Sequence, residues 1–137
     1  EIVLLAQQLG LNTCWVGAGN AKRKSIAKIG MREKLHAVIA FGYGENQGTA
    51  HRMKPLDELC RVDEATTPSW FCQAMEAVRL APTAMNQQRV LFTLKGNVVE
   101  AVAQKGLYSQ VGLGIAKCHF EIGAAAAGAT EKDWHWG

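Results

Sequence analysis

Apolar residues fall at helical spacing most clearly between Ser69 and Leu80, where Phe71, Ala74, Met75 and Val78 occupy the i, i+3, i+4, i+7 positions of a half-buried helix. Pro82 stops it, and Thr67 or Ser69 can cap its start. Upstream, Ile2 to Leu9 reads as a short apolar helix, Thr13 to Val16 as an extended piece, Ala21 to Ile29 as a second helix, and Leu35 to Phe41 as a strand. Residues Gly42 to Lys54 are rich in Gly, Asn and Gln, the composition of an exposed connection, and Leu56 to Cys60 reads as a short helix. Downstream, Val90 to Leu94 and Val98 to Ala103 are strands joined by a hairpin turn at Lys95-Gly96-Asn97. A helix from about Gly112 to Gly128 then leads to Trp134-His135-Trp136. Its Ala/Gly-rich end, Gly123 to Gly128, suits close approach of two helix backbones. The expected fold class is α+β, with a mixed or antiparallel sheet flanked by helices.

Composition narrows the functional classes. With 137 residues, 48% of them hydrophobic, the chain can form a core, and its net charge of +3 is mild. The basic cluster Lys22, Arg23, Lys24 and Lys28 has no interleaved aromatic residues, so it reads as a solvated face and no nucleic-acid partner is expected. Ile2 to Leu5 is too short to span a membrane, which makes the cytoplasm the expected location. Cys14, Cys60, Cys72 and Cys118 show no C-x-x-C pair, and His36, His51, His119 and His135 show no ligand spacing, so no metal site is expected.

The chemistry-bearing stretch is Ala81-Pro82-Thr83-Ala84-Met85-Asn86-Gln87-Gln88, a helix stop followed by a hydroxyl and side-chain carboxamides. Thr83, Asn86 and Gln87 offer donors and acceptors at a helix boundary, a shelf suited to a planar ligand with a polar edge. The same residues can instead cap a helix and satisfy a strand end. Trp15 can likewise be a core aromatic, Arg52 a solvated loop charge, and Glu121 with His119 an internal hydrogen-bonding pair.

"APTAMNQQ" before a strand resembles the Ala-Pro-Ser/Thr-x-x-Asn-x-Gln signature of the FMN-dependent nitroreductase family. Ala6 to Gly17 resembles that family's late helix and Gly-Leu-x-x-Cys-Trp loop; Ala37 to Gly44 resembles its terminal strand; Arg52 to Leu56 resembles the basic segment after it. Tyr108 to Glu121 is similar to the Asp-Leu-Gly-Ile…His-Phe-Glu helix of a subgroup in which two nitroreductase-like halves are fused, with Gly112 where that subgroup tends to carry Asp. A faint repeat between the region of Trp15-Val16-Gly17 and that of Trp134 to Gly137 agrees with two halves.

The resemblance implies that Pro82, Thr83, Asn86 and Gln87 line one side of FMN, that backbone at Trp15, Val16 and Gly17 approaches the flavin ring, and that Arg52 or Lys54 pairs with its phosphate. It also implies NAD(P)H as co-substrate and a nitro or quinone-like small molecule as electron acceptor, with no side-chain acid, base or nucleophile. The elements stand in the order late then early, so the chain is expected to be the central and C-terminal portion of a longer two-half protein, an incomplete copy of that fold. Residues 1–62 would end the first half and 63–137 would belong to the second. The N-terminal Arg-rich flavin-phosphate motif typical of the family is absent from the chain. Homodimerisation, or association with the missing N-terminal segment, is the expected way of covering apolar faces. The alternative implied is a non-catalytic nitroreductase-like module acting in flavin binding or protein association.

Overall fold

The computed structural model describes residues 1–17, 26, 28–62 and 66–137, which form two compact units, Glu1–Ala50 and His51–Gly137. Helices and sheets are both present, an α+β arrangement. In the first unit, α1 (Ile2–Gln8) ends at Gly10, whose φ of +76° suits glycine, and the Leu11 amide returns to the Ala6 carbonyl at 2.9 Å. Strands β1 (Asn12–Val16) and β2 (Val38–Gly42) follow and pair antiparallel, with Trp15 opposite Ile39 and Val16 opposite Val38. The Asn12 carboxamide pins the exit of β2: its Oδ1 accepts from Gly44 N at 2.9 Å, and its Nδ2 donates to the Asn46 carbonyl. Among the described residues β2 starts at Val38, opposite Val16, rather than at Leu35. The helix expected over Ala21 to Ile29 and the Lys22-Arg23-Lys24 cluster fall largely outside the described residues; Ile26, Lys28 and Ile29 are described and are not helical.

The second unit contains α2 (Leu56–Leu59), β3 (Cys60–Arg61), α3 (Ser69–Arg79), β4 (Val90–Lys95), β5 (Val98–Ala103), α4 (Ser109–Ala126) and β6 (His135–Trp136). Its sheet runs β3-β4-β5-β6: the central hairpin is antiparallel, and each short outer strand is parallel to its neighbour. Gly96, at φ +61°, turns the hairpin as its composition predicts. The anticipated face of α3, Phe71, Ala74, Met75 and Val78, is buried. The start of α3 differs from expectation: Pro68 holds the N-cap position, with no side-chain cap bond there, and its carbonyl accepts from Phe71 N. α4 begins at Ser109, three residues before Gly112, behind Tyr108 in a left-handed conformation.

Phe120 from α4 is the centre of the core. It stacks on Phe92 of β4 at 5.3 Å between ring centroids and meets Phe71 of α3 edge-on at 5.5 Å. Trp134 and Trp136 close the cluster from the C-terminal side. Residues 51–62, assigned from sequence to the first half, pack within this second unit through α2 and β3, while 63–65 of the expected joint lie outside the described residues. Among the described residues no helix is long and apolar enough to cross a membrane.

Candidate functional site

The shelf forms because α3 ends cleanly. Leu80 N and Ala81 N close the last turn onto the Ala77 and Val78 carbonyls, and the chain then leaves through an exposed Pro82. Thr83 is extended, and a single 3₁₀ turn, Ala84–Asn86, precedes β4. Met85 and Asn86, both at φ +53°, and Gln88 at +47° are left-handed. That conformation costs about 1–2 kcal/mol for an ordinary L-residue, so surrounding bonds must impose it. They are present: Asn86 N donates to the Thr83 carbonyl at 3.0 Å, Gln87 Nε2 to the Ala84 carbonyl at 3.0 Å, and Gln88 N to the Thr83 hydroxyl at 2.9 Å.

The shelf and the basic segment come together. The Arg52 carbonyl accepts from Asn86 Nδ2 at 2.9 Å and from Gln88 Nε2 at 2.8 Å, while Lys54 N donates to Gln88 Oε1 at 2.8 Å. Arg79 Nε donates to the Lys54 carbonyl at 3.1 Å, and the His51 ring lies 2.9 Å from the Arg79 carbonyl. The two candidate cations differ. Lys54 Nζ is 3.2 Å from the Glu58 carboxylate, whereas the exposed Arg52 guanidinium has no hydrogen bond or ion pair among the described residues. Arg52 is therefore the charge left available to an anion.

The residue missed from sequence is Gln88. It is 5% exposed, the buried polar residue of the described chain, and both ends of its carboxamide are engaged. The signal was in the Asn-x-Gln spacing itself, which counted from Asn86 puts the glutamine at 88 and not at 87. Asn86 fulfils part of its bland reading, since its amide ties down the chain. Among the described residues one N–H and one lone pair of its carboxamide have no partner. Beneath the shelf the packing is tight: cavities of about 10 Å³ lie under Thr83, one toward Tyr108 and one toward Ala116, each the size of a single water. The shelf is thus tightly backed, and Pro82, Met85 and Asn86 are exposed on its outer surface. Gly106 permits this packing, since a β-carbon there would stand 2.6 Å from Arg89 Cδ and 2.8 Å from Gln87 Oε1.

A larger open groove of about 790 Å³ lies between the C-terminal half of α4 and the Trp134–Trp136 tail, and it shares no residue with the shelf. Trp15, Val16 and Gly17 belong to the first unit and the remaining predicted residues to the second. Trp15 is not buried, so it is not a core aromatic of its unit. His119 and Glu121 do not bond to each other as a pair. The His119 ring faces the Ala77 carbonyl, and Glu121 accepts from Trp136 Nε1 at 2.9 Å. Burial lowers the His119 pKa, partly offset by that carbonyl, and burial followed by the nearby Cys72 raises that of Cys60. Among the described residues no group of three or more His, Cys, Asp or Glu is placed to hold a metal ion.

The family model described as "Putative TM nitroreductase" matches residues 1–124. A crystal structure of a putative nitroreductase from Thermotoga maritima superposes with a TM-score of 0.72 and 23% identity, over 92% of this chain and 51% of that one. The likeness is one of fold, and the chain spans about half the length of that relative. No curated protein matches the chain.

Proposed function

This chain belongs to the "Putative TM nitroreductase" family, and from that membership we propose that it is part of an FMN-dependent oxidoreductase passing electrons from NAD(P)H to a nitro or quinone-like acceptor. The observation that carries the reading is the Arg52 guanidinium, without a hydrogen bond or ion pair among the described residues, on a residue whose backbone carbonyl is bonded to the amide shelf at Asn86 and Gln88. Flavin binding needs fixed positive charge for a phosphate and a polar edge for the ring, and these residues supply both. Arg52 would hold the phosphate, with Lys54 shared between it and Glu58. Thr83, Asn86 and Gln87 would meet the polar edge of the ring, and Pro82 would offer an apolar rim. When bound, FMN supplies the two-electron carrier; this chain's residues orient it and need not transfer a proton themselves.

We infer that the opposite wall of the flavin site comes from a second nitroreductase-like half, in a fused two-half chain or a homodimer. The 71% exposure of Phe41 and 87% exposure of Tyr43 in the first unit favour such association, and they equally favour the second reading, a non-catalytic association module. The test is reconstitution of the full-length protein with FMN. Quenched flavin fluorescence, a raised melting temperature and NAD(P)H-dependent reduction of a nitroaromatic are expected. Binding without turnover would leave the non-catalytic module, and no quenching and no thermal shift at saturating FMN would overturn the flavin assignment.

A further inference from the structure

We propose that Gln88 is a positioning residue: its buried carboxamide holds the Arg52–Lys54 backbone so that the Arg52 guanidinium is set for the phosphoester of FMN. This rests on the flavin reading above. The Arg52 carbonyl and the Lys54 amide are the groups flanking Met53 that a parallel strand neighbour would engage with one peptide N–H and one C=O. Gln88 supplies the same pair from its side chain, Nε2 to the Arg52 carbonyl at 2.8 Å and Oε1 from Lys54 N at 2.8 Å. Its second amide hydrogen goes to Asn86 Oδ1 at 2.9 Å, so the donors of this buried group are used up. An aliphatic side chain of similar length would fill the space and abandon a buried N–H and part of a carbonyl's bonding.

The arrangement separates holding the segment from aiming it. His51 and Lys54 are also tied to Arg79 at the end of α3, so the segment stays attached without Gln88. What Gln88 governs is the backbone at Arg52, the residue whose side chain has no partner of its own among the described residues. Its left-handed backbone, φ +47°, is retained by the bond from its N–H to the Thr83 hydroxyl, which couples the same residue to the shelf.

The experiment measures dissociation constants for FMN and for riboflavin, which lacks the phosphate, in the full-length protein carrying Gln88→Met, Arg52→Ala or both. Gln88→Met should weaken FMN about tenfold, equivalent to about 1.4 kcal/mol, and riboflavin by less than about twofold. In the Arg52→Ala background the same change should have little further effect on FMN. Equal losses for FMN and riboflavin, or additive effects of the two substitutions, would overturn the positioning role while leaving flavin binding intact. Parent protein that binds neither flavin would instead remove the flavin reading, and this proposal with it. Should the Met variant not fold, Gln88→Glu keeps the acceptor for Lys54 N and the side-chain volume; it should show the same FMN-selective loss, and a loss shared by riboflavin would count against the proposal.

Discussion

His119 on α4 reaches across to α3 and places its Nδ1 3.1 Å from the Ala77 carbonyl oxygen, in the last helical turns before the shelf. The ring is half-buried, and the neutral imidazole donates Nδ1–H to that carbonyl.

Burial holds the His119 pKa below its usual 6.5, so the unfolded chain takes up the proton first as pH falls. The stability it contributes is full above about pH 6.5 and declines as pH drops through the lower folded value. Thermal melts between about pH 5 and 8 should show this slope. It should flatten in His119→Asn, and an unchanged slope in that variant would assign the pH dependence to other groups.

Gly123→Ala sets two effects against each other. Helix propensity favours alanine by about 1 kcal/mol, but the new β-carbon would lie 2.7 Å from Ala77 Cβ and 2.9 Å from Ala74 Cα. Because Ala74 Cα is backbone and cannot rotate away, overpacking of about 1–3 kcal/mol should win and the variant should be less stable. Denaturant unfolding decides the sign, and a more stable variant would refute this close helix contact.

The two candidate cations should separate in flavin affinity. Arg52→Ala removes a charge with no partner among the described residues, and a bond to a charged group is worth about 1.5–3 kcal/mol, so FMN should bind about ten- to a hundredfold more weakly. Lys54→Ala should cost less, since Glu58 already shares that ammonium. Fluorescence titrations of both variants would reverse the assignment if Lys54→Ala proved the more damaging.

Thiol reactivity should follow burial. Cys60 is enclosed, its Sγ lies 3.2 Å from the Leu56 carbonyl, and its pKa is raised, whereas Cys72 is exposed on α3. A thiol reagent on the native protein should label Cys72 within minutes and Cys60 only on unfolding. Mass mapping that finds the two modified at equal rates would contradict the packing around Cys60.

Periodicity alone determined α3, its buried face and the β4–β5 hairpin, because each rests on neighbours a few residues apart: Phe71, Ala74, Met75 and Val78 share one helix face, and Gly96 turns between strands that adjoin in sequence. The motifs were equally legible, and they led to the family. The tertiary structure alone decided the rest. The strands Cys60–Arg61 and His135–Trp136 are two residues long and carry no pattern of their own; each exists because β4 or β5 offers it an edge. The amide run at 86–88 was visible as polar chemistry, yet which amide is exposed and which is buried depended on the fold around Arg52, 34 residues from Asn86 and 36 from Gln88. Local sequence specifies what a side chain can donate and accept; only the folded chain settles which of those bonds are already taken.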